Sequence, residues 1–198
     1  MARPKKLRWK EGDWGEYDHG LFEVSDAMLR RVRPDLYHWL SRFHQTMYDL
    51  SGMYTRRDLI KEHAWLGSIQ PGMVVSAELG RVAAYSRELD CVVMLNYAPK
   101  FLADFGLGEG SRLLAITYYS MEPKNDDLTF GPNRNAAWKD FLPIVVDFLT
   151  GDTDRLEEQK ELIPETLWNR AWELGRKRLR THPDLWRDGR PYGRLRNS

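Results

Sequence analysis

The sequence predicts an α+β fold in which five or six helices surround a small three-stranded sheet, parallel or mixed, with the terminal segments wrapping around them. Three observations predict this class. Apolar residues recur at helical spacing in several segments, and three short apolar runs have the character of buried strands. A chain of 198 residues is also long enough to bury one hydrophobic core.

Two helices are predicted before the sheet. An apolar stripe opposite a polar face predicts the first helix over residues 34–50. Thr55 is placed to cap the second helix, which is predicted over 56–66. The Pro71-Gly72 pair that follows predicts a turn.

Short strands and helices then alternate along the chain. Strands are predicted over 73–76, 91–97 and 112–120, and the helices between them over 78–88 and 99–105. Each connection between strands has about a dozen residues, which is the shortest length that lets two strands run parallel. A parallel sheet and a mixed sheet therefore both stay open.

Further helices are predicted toward the C-terminus. Helical spacing of apolar residues predicts one over 138–149, in which Pro143 causes a kink or starts a second helix. An acidic, solvent-facing helix is predicted over 152–162. The last helix is predicted to begin at Pro164 and to end near residue 180.

The segment from Gly106 to Gly110 has glycines at alternate positions and comes closest to a phosphate-binding motif. Such a loop connects a strand to the helix that follows it, because the free amides at the helix N-terminus hold the phosphate. Here a predicted helix comes first and a strand follows. Gly106 is therefore predicted to be a left-handed helix cap with Leu107 as its hydrophobic partner.

The stretches VAAYSRELDCVVML and GSRLLAITYY resemble a family of small bacterial proteins of unknown function. The resemblance extends from about Val74 into the last predicted helix. No motif in it has a known role, so the resemblance implies no activity, cofactor or site residue.

Charge is distributed unevenly along the chain, although the net charge is only +1. Lysine and arginine are concentrated in residues 1–10 and 176–198, and the region between them is acidic. Basic ends of this kind bind a polyanion or lie on the acidic body of the same chain. The second interpretation is favoured, because unlike charges in one chain attract before a partner arrives.

A single domain is predicted over 1–198, with an N-terminal arm and loop over 1–20 and a basic tail over 183–198. The basic N-terminus is not followed by an apolar segment, so no secretory signal is predicted. Apolar runs fall far short of the ~20 residues of a membrane span, so no membrane partner is expected. Cys91 lies in an apolar run and is the sole cysteine, which predicts a cytoplasmic protein.

The candidate catalytic residues are His44, Tyr37 and Tyr48, which share one edge of the first predicted helix. A histidine beside hydroxyl groups can transfer protons. Half-buried aromatic side chains are also the normal rim of a core, and this second interpretation is favoured.

The candidate ligand-binding residues follow from the predicted sheet. If the strands are parallel, ligands meet their carboxyl ends. The polar residues at or just beyond those ends are Ser76, Glu78, Asn96, Ser120 and Glu122.

No metal site and no cofactor are predicted. Residues 11–20 are rich in carboxylates that suit a hard cation, but their spacing matches no known motif, and turn formation explains them better. His63 is interpreted as structural, because no second metal-binding residue shares its helical face at the required spacing.

The basic tail suggests one more kind of site. Basic side chains attract phosphates and aromatic rings stack on bases, so the tail could bind nucleic acid. The candidate residues are Arg187, Arg190, Arg194 and Arg196. Nucleic acid is nevertheless not favoured, because the chain as a whole is not basic. A tail packed on its own body, through Trp186 and Tyr192, is expected.

Two functions stay open from the sequence, and whether the chain is an enzyme stays open with them. The slightly favoured hypothesis is a non-catalytic interaction module whose aromatic and basic termini bind a protein partner or a polyanion, with a homodimer as the expected assembly. The alternative is a small enzyme or ligand-binding protein, with its pocket at the strand ends or near His44.

Overall fold

The computed structural model describes residues 21–37, 55–122, 126–133 and 138–193. These residues fold around a seven-stranded sheet that is curled into a half-barrel. The strands are β1 (Ser68–Ser76), β2 (Arg81–Ser86), β3 (Cys91–Asn96), β4 (Arg112–Ser120), β5 (Thr129–Phe130), β6 (Asp140–Val145) and β7 (Arg187–Asp188).

The strand order is β5-β3-β2-β1-β4-β6, with every neighbouring pair in this order antiparallel. The short strand β7 pairs in parallel with the C-terminal end of β3.

The α-helices of the described residues are α1 (Asp26–Val32), α2 (Arg56–Leu66), α3 (Pro99–Asp104), α4 (Thr153–Leu162) and α5 (Glu165–Thr181). Short 3₁₀ turns occur at Pro34–Tyr37 and Val146–Phe148. Helix α5 packs across β1, β2 and β3. No helix in the described part of the chain combines the length and the apolarity required to cross a membrane.

The predicted fold class is wrong, because a large antiparallel sheet replaces the small three-stranded parallel or mixed one. The main error lies in residues 78–88, which were predicted to be helical but contain β2. Residues 82–86 are all buried, so the strand shows none of the polar–apolar alternation that identifies a half-exposed strand. Strands β1 and β2 form a hairpin in which Gly72 pairs with Ala84, and this local connection makes the pair antiparallel.

Two further predictions are wrong because the residues concerned lie in strands of the sheet. The helix predicted over 138–149 is instead β6 and a 3₁₀ turn. Strand β6 lies at the end of the sheet order, where Pro143 is tolerated because an edge strand needs fewer N–H donors. Pro71 and Gly72 lie inside β1 rather than in a turn.

Several local predictions are confirmed. Strand β4 spans the predicted residues, and α3, α4 and α5 begin and end within one or two residues of the predicted limits. Thr55 caps α2, and Asp58 completes the capping box. Gly106 has the predicted left-handed conformation, with φ of +68°, and the N–H of Leu107 donates to the carbonyl of Leu102 at 3.0 Å.

The helix predicted over 34–50 lies mostly outside the described residues. Its first four residues, Pro34–Tyr37, form the 3₁₀ turn that follows α1. His44 and Tyr48, the acidic segment 11–20, Arg194 and Arg196 also lie outside the described residues.

Candidate ligand-binding cavity

The antiparallel strand order divides the predicted strand-end residues into two groups. Strands β1 and β3 run in the same direction, so Ser76 and Asn96 lie at one end of the sheet, on either side of Arg81. Strand β4 runs in the opposite direction, so Ser120 and Glu122 lie at the other end. The five candidate ligand-binding residues therefore do not form one site.

Four of those five residues stabilise or flank turns. The hydroxyl of Ser76 accepts a hydrogen bond from the N–H of Leu79 at 3.2 Å, and Glu78 is exposed in the same turn. The hydroxyl of Ser120 donates to the carbonyl of Glu122 at 3.1 Å. Asn96 differs, because it lines a cavity.

This cavity, of about 430 Å³, lies at the C-terminal end of β3 and is called the β3-end cavity below. Its apolar wall consists of side chains from α1, from the segment after β3 and from the C-terminal segment: Val32, Tyr97, Phe101 and Trp186. Its main polar lining residues are Arg31, Asn96, Asp188 and Arg190. The cavity thus joins one residue predicted from the strand ends with one predicted from the basic tail.

The aromatic wall is held by packing among rings. Tyr97 lies 5.7 Å from Phe101 between ring centroids, and both rings contact Phe148, at 5.0 and 4.9 Å. Gly189 passes directly over the Tyr97 ring, and its N–H donates to the carbonyl of Asn96 at 2.9 Å. A side chain at position 189 would collide with that ring, so only glycine allows the C-terminal segment to close the cavity.

The C-terminal segment reaches the cavity because β7 pairs with β3. Leu95 pairs with Arg187 and Asn96 with Asp188. Side chains alternate across a strand, so Trp186 and Asp188 share the face that lines the cavity, and Arg187 takes the other face.

Arg187 anchors β7 in a buried ion cluster. Its Nε and Nη2 donate to the two carboxylate oxygens of Asp127 at 2.7 and 2.6 Å, and Nη2 also donates to Asp140 at 2.8 Å. Its Nη1 donates to the carbonyl of Phe141 at 2.7 Å. Arg187 is 4% exposed, so it presents almost no surface to a phosphate.

Arg190 is exposed at the cavity rim but is already paired. Its Nε and Nη2 donate to the carboxylate of Asp188 at 3.0 and 2.6 Å, and its backbone N–H donates to the same group at 2.9 Å. Burial acts to raise the pKa of Asp188, but the hydrogen bonds from Arg190 outweigh it and lower that pKa. The pair is therefore ionised and neutral overall.

Arg31 is a cation at the cavity rim for which the described residues supply no counter-charge. Its guanidinium lies over the ring of Phe105, 4.7 Å from the centroid. Within the described ranges, no carboxylate forms an ion pair with it. The ring contact holds the charge in place without neutralising it.

Asn96 also lines the cavity. Arg81 donates to Asn96 Oδ1, and this bond assigns the orientation of the amide. The Nδ2 group has no hydrogen-bond partner in the part of the chain that the structure describes. The guanidinium of Arg81 also lies 5.1 Å from the Trp186 ring and fixes that side of the cavity.

Arg31 was missed by the sequence analysis, because α1 was not predicted. The available signal was Ser25, whose hydroxyl accepts a hydrogen bond from the N–H of Met28 at 3.5 Å, followed by Leu29 and Val32 at helical spacing. Seven residues are too few for a clear helical pattern.

Tyr37, a candidate catalytic residue, is held in a different place. Its hydroxyl donates to Asp26 at 3.1 Å, and the guanidinium groups of Arg30 and Arg57 lie 4.7 and 4.8 Å from the centroid of its ring. Burial and the hydrogen bond to Asp26 raise the pKa of Tyr37 to about 12. The hydroxyl is therefore a firm hydrogen-bond donor at neutral pH rather than a base.

His63 lies in the core, where its interpretation as a structural residue fits the contacts. Its Nε2 lies 3.0 Å from the carbonyl of Ile116 and its Nδ1 3.1 Å from the hydroxyl of Tyr192, while its ring stacks on Tyr118 at 4.1 Å. Nε2 therefore donates and Nδ1 accepts, as in a neutral imidazole. Burial lowers the pKa of His63 to about 3.

This buried histidine predicts a loss of stability on acidification. The unfolded chain binds a proton at His63 near pH 6.5, whereas the folded chain resists protonation until about pH 3. The free energy of unfolding should therefore fall below pH 6.5, by up to about 1.4 kcal/mol per pH unit from this group. Urea unfolding at pH 7, 6 and 5 should show a shallower loss for His63→Gln than for the wild type.

The exposed His182 supplies the control for this measurement. The His182→Gln variant should follow the wild-type dependence on pH. Equal slopes for His63→Gln and the wild type would contradict a buried neutral histidine.

A second cleft, of about 420 Å³, lies between the residues before α1 and the start of α4. Its polar groups largely bond to one another. Asp152 accepts a hydrogen bond from the N–H of Arg155 at 3.1 Å, and the hydroxyl of Thr150 accepts from the N–H of Asp152 at 3.2 Å. These bonds form the N-terminal cap of α4, so the cleft is a weaker candidate than the β3-end cavity.

No protein family, curated protein or solved structure was found to match the chain. In the described ranges, His, Cys, Asp and Glu side chains form no group of three or more that could hold a metal ion. The site is therefore interpreted from its own geometry.

Proposed function

We propose that this protein binds a small organic ligand in the β3-end cavity. The observation that carries the proposal is the combination, in one cavity, of an aromatic wall with two polar residues. These are Arg31, whose guanidinium has no ion-pair partner among the described residues, and Asn96, whose Nδ2 has no hydrogen-bond partner among them. Ligand sites typically pair apolar walls with a few polar groups that fix orientation. Of the two functions that the sequence left open, this geometry favours the ligand-binding one.

The dimensions of the cavity support the same proposal. Its volume of about 430 Å³ falls within the ~300–1,000 Å³ that small-molecule sites occupy. Its walls belong to packed elements, since α1, β3 and the anchored strand β7 all contribute to it. A preformed site of this kind loses little conformational entropy when a ligand binds.

Filling the cavity should abolish binding. Ala98 lines the cavity and is exposed, so Ala98→Trp should occupy it without disturbing the core. Ala103, exposed on α3 and outside the cavity, provides the matched control Ala103→Trp. We expect an aromatic probe, 2-naphthamide, to bind the wild type and Ala103→Trp with Kd below about 1 mM in ligand-observed NMR, and not to bind Ala98→Trp.

Circular dichroism and melting temperature check that both variants fold. Equal binding by Ala98→Trp and the wild type would contradict the proposed site. If no aromatic probe, neutral or charged, binds the wild type, the proposed function is wrong.

Self-association stays a separate proposal, and helix α2 supplies a surface for it. Leu59, Trp65 and Leu66 are 38%, 45% and 45% exposed, and Leu59 and Leu66 lie two helical turns apart on one face. Sedimentation equilibrium should give the mass of a homodimer, and Trp65→Ser should weaken the association. Leu79→Ser, at an exposed position in a turn, is the control. A monomeric mass for the wild type at high concentration would contradict the homodimer.

A further inference from the structure

We infer that the ligand of the β3-end cavity is a planar organic anion, an aromatic carboxylate, whose carboxylate pairs with Arg31 and Asn96. This inference rests on the proposed function and adds the chemical class of the ligand. It follows from the charge balance around the cavity, from its hydrogen-bonding groups and from its wall.

The charges around the cavity leave an excess of positive charge. Arg190 is neutralised by Asp188 at 2.6 Å, and Arg33 by Asp35 at 2.7 Å. Among the described residues, no carboxylate forms an ion pair with Arg31. An anion entering the cavity therefore gains an attraction that a cation does not.

The hydrogen-bonding groups of the cavity favour a hydrogen-bond acceptor at the charged end of the ligand. The guanidinium of Arg31 offers N–H donors in a planar fork, and Asn96 adds the two N–H groups of its amide. The carboxylate of Asp188, which would compete with the ligand for these donors, already accepts hydrogen bonds from three N–H groups of Arg190. A carboxylate accepts hydrogen bonds without donating any, and its two oxygens match the spacing of a guanidinium fork.

The aromatic wall of the cavity favours a ligand that contains a flat ring. Trp186, Tyr97 and Phe101 supply aromatic surface, and ring–ring contacts prefer stacked or edge-to-face geometry. The wall and the donors thus suit opposite ends of one molecule.

A matched series of probes tests the charge. 2-Naphthoate, 2-naphthamide and 2-naphthylmethylamine share one ring system and differ mainly in the charge of the substituent. We expect the wild type to bind 2-naphthoate about tenfold or more tightly than 2-naphthamide, and the amine most weakly. The preference for 2-naphthoate should shrink as salt is raised, because exposed charges are screened.

Two neighbouring arginines provide the matched variants. Arg31→Gln should lower the affinity for 2-naphthoate to that for 2-naphthamide and leave the affinity for 2-naphthamide unchanged. Arg30→Gln should behave as the wild type, because Arg30 lies over the Tyr37 ring and does not line the cavity. Arg31 is exposed, so Arg31→Gln should keep the wild-type melting temperature.

The outcomes separate the two proposals. If 2-naphthamide binds as tightly as 2-naphthoate, or if Arg31→Gln keeps the preference for the acid, the inferred anion is wrong and the cavity site stands. If Ala98→Trp binds every probe as the wild type does, the cavity is not the site, and both proposals fail.

Discussion

Replacing Arg187 with methionine should destabilise the folded protein by about 3–5 kcal/mol, because the change removes the guanidinium that bonds to two buried carboxylates. Asp127 and Asp140 are 5% and 0% exposed, and both accept hydrogen bonds from Arg187. Methionine preserves most of the side-chain length but supplies no donor. The free energy of unfolding in urea, followed by tryptophan fluorescence, measures the loss.

Arg180→Met is the matched control. Arg180 is exposed on α5, so its replacement should change the free energy of unfolding by less than about 1 kcal/mol. A loss of less than about 1 kcal/mol for Arg187→Met would contradict the buried ion cluster.

The carboxylates provide a second test of the same cluster. If the cost of Arg187→Met comes from uncompensated charge, then adding Asp127→Asn and Asp140→Asn should restore part of the lost stability. The cluster also holds β7 against β3, so Arg187→Met should weaken ligand binding in the β3-end cavity even where the chain still folds.

Replacing Trp168 with alanine should cost about 3–5 kcal/mol, the range for deleting a fully buried large side chain. Trp168 is 1% exposed and lies on the face of α5 that packs against the sheet. Trp172 lies four residues later on the same helix but is only partly buried. The spacing of the two residues predicts that both anchor α5, whereas the structure assigns the larger burial to Trp168.

The two alanine variants should therefore differ. Trp172→Ala should lose clearly less stability than Trp168→Ala in urea unfolding, because part of the Trp172 ring contacts solvent in the folded state. Equal losses would show that the difference in burial does not determine their contributions.

The candidate site could be predicted only in pieces. Asn96 is predicted as a ligand-binding residue on the condition that the strands are parallel, and it lines the cavity although the sheet is antiparallel. Arg190 is a predicted candidate for contacting nucleic-acid phosphates, and it lies at the rim of the same cavity, paired with Asp188. Arg31 was missed because α1 is too short for a periodic signal. No property of the separate segments indicates that these residues meet.

Two strands of the sheet also could not be predicted from local sequence patterns. Residues 82–86 are buried on both faces, so periodicity could not distinguish strand from helix there. Residues 140–145 have helical spacing of apolar side chains, yet they pair with β4 from Ala115 to Ser120. In both segments the stabilising hydrogen bonds go to another strand rather than to the preceding helical turn.

The amino-acid sequence by itself determined the features whose hydrogen bonds join residues a few positions apart. The cap of α2 by Thr55 and the left-handed conformation of Gly106 are both of this kind, and the sequence predicts both. Such bonds form within one turn of chain, so the residue types involved are visible as a local pattern.

Only the tertiary structure decided the strand order, the ion cluster and the cavity. Arg187 bonds to Asp127 and Asp140, which lie 60 and 47 residues away in the sequence. Arg187 also pairs with Leu95, which lies still farther away in the sequence. Contacts over such distances depend on how all the intervening elements pack, and burial selects the arrangement that satisfies their polar groups together. The β3-end cavity therefore forms only when β7 pairs with the C-terminal end of β3.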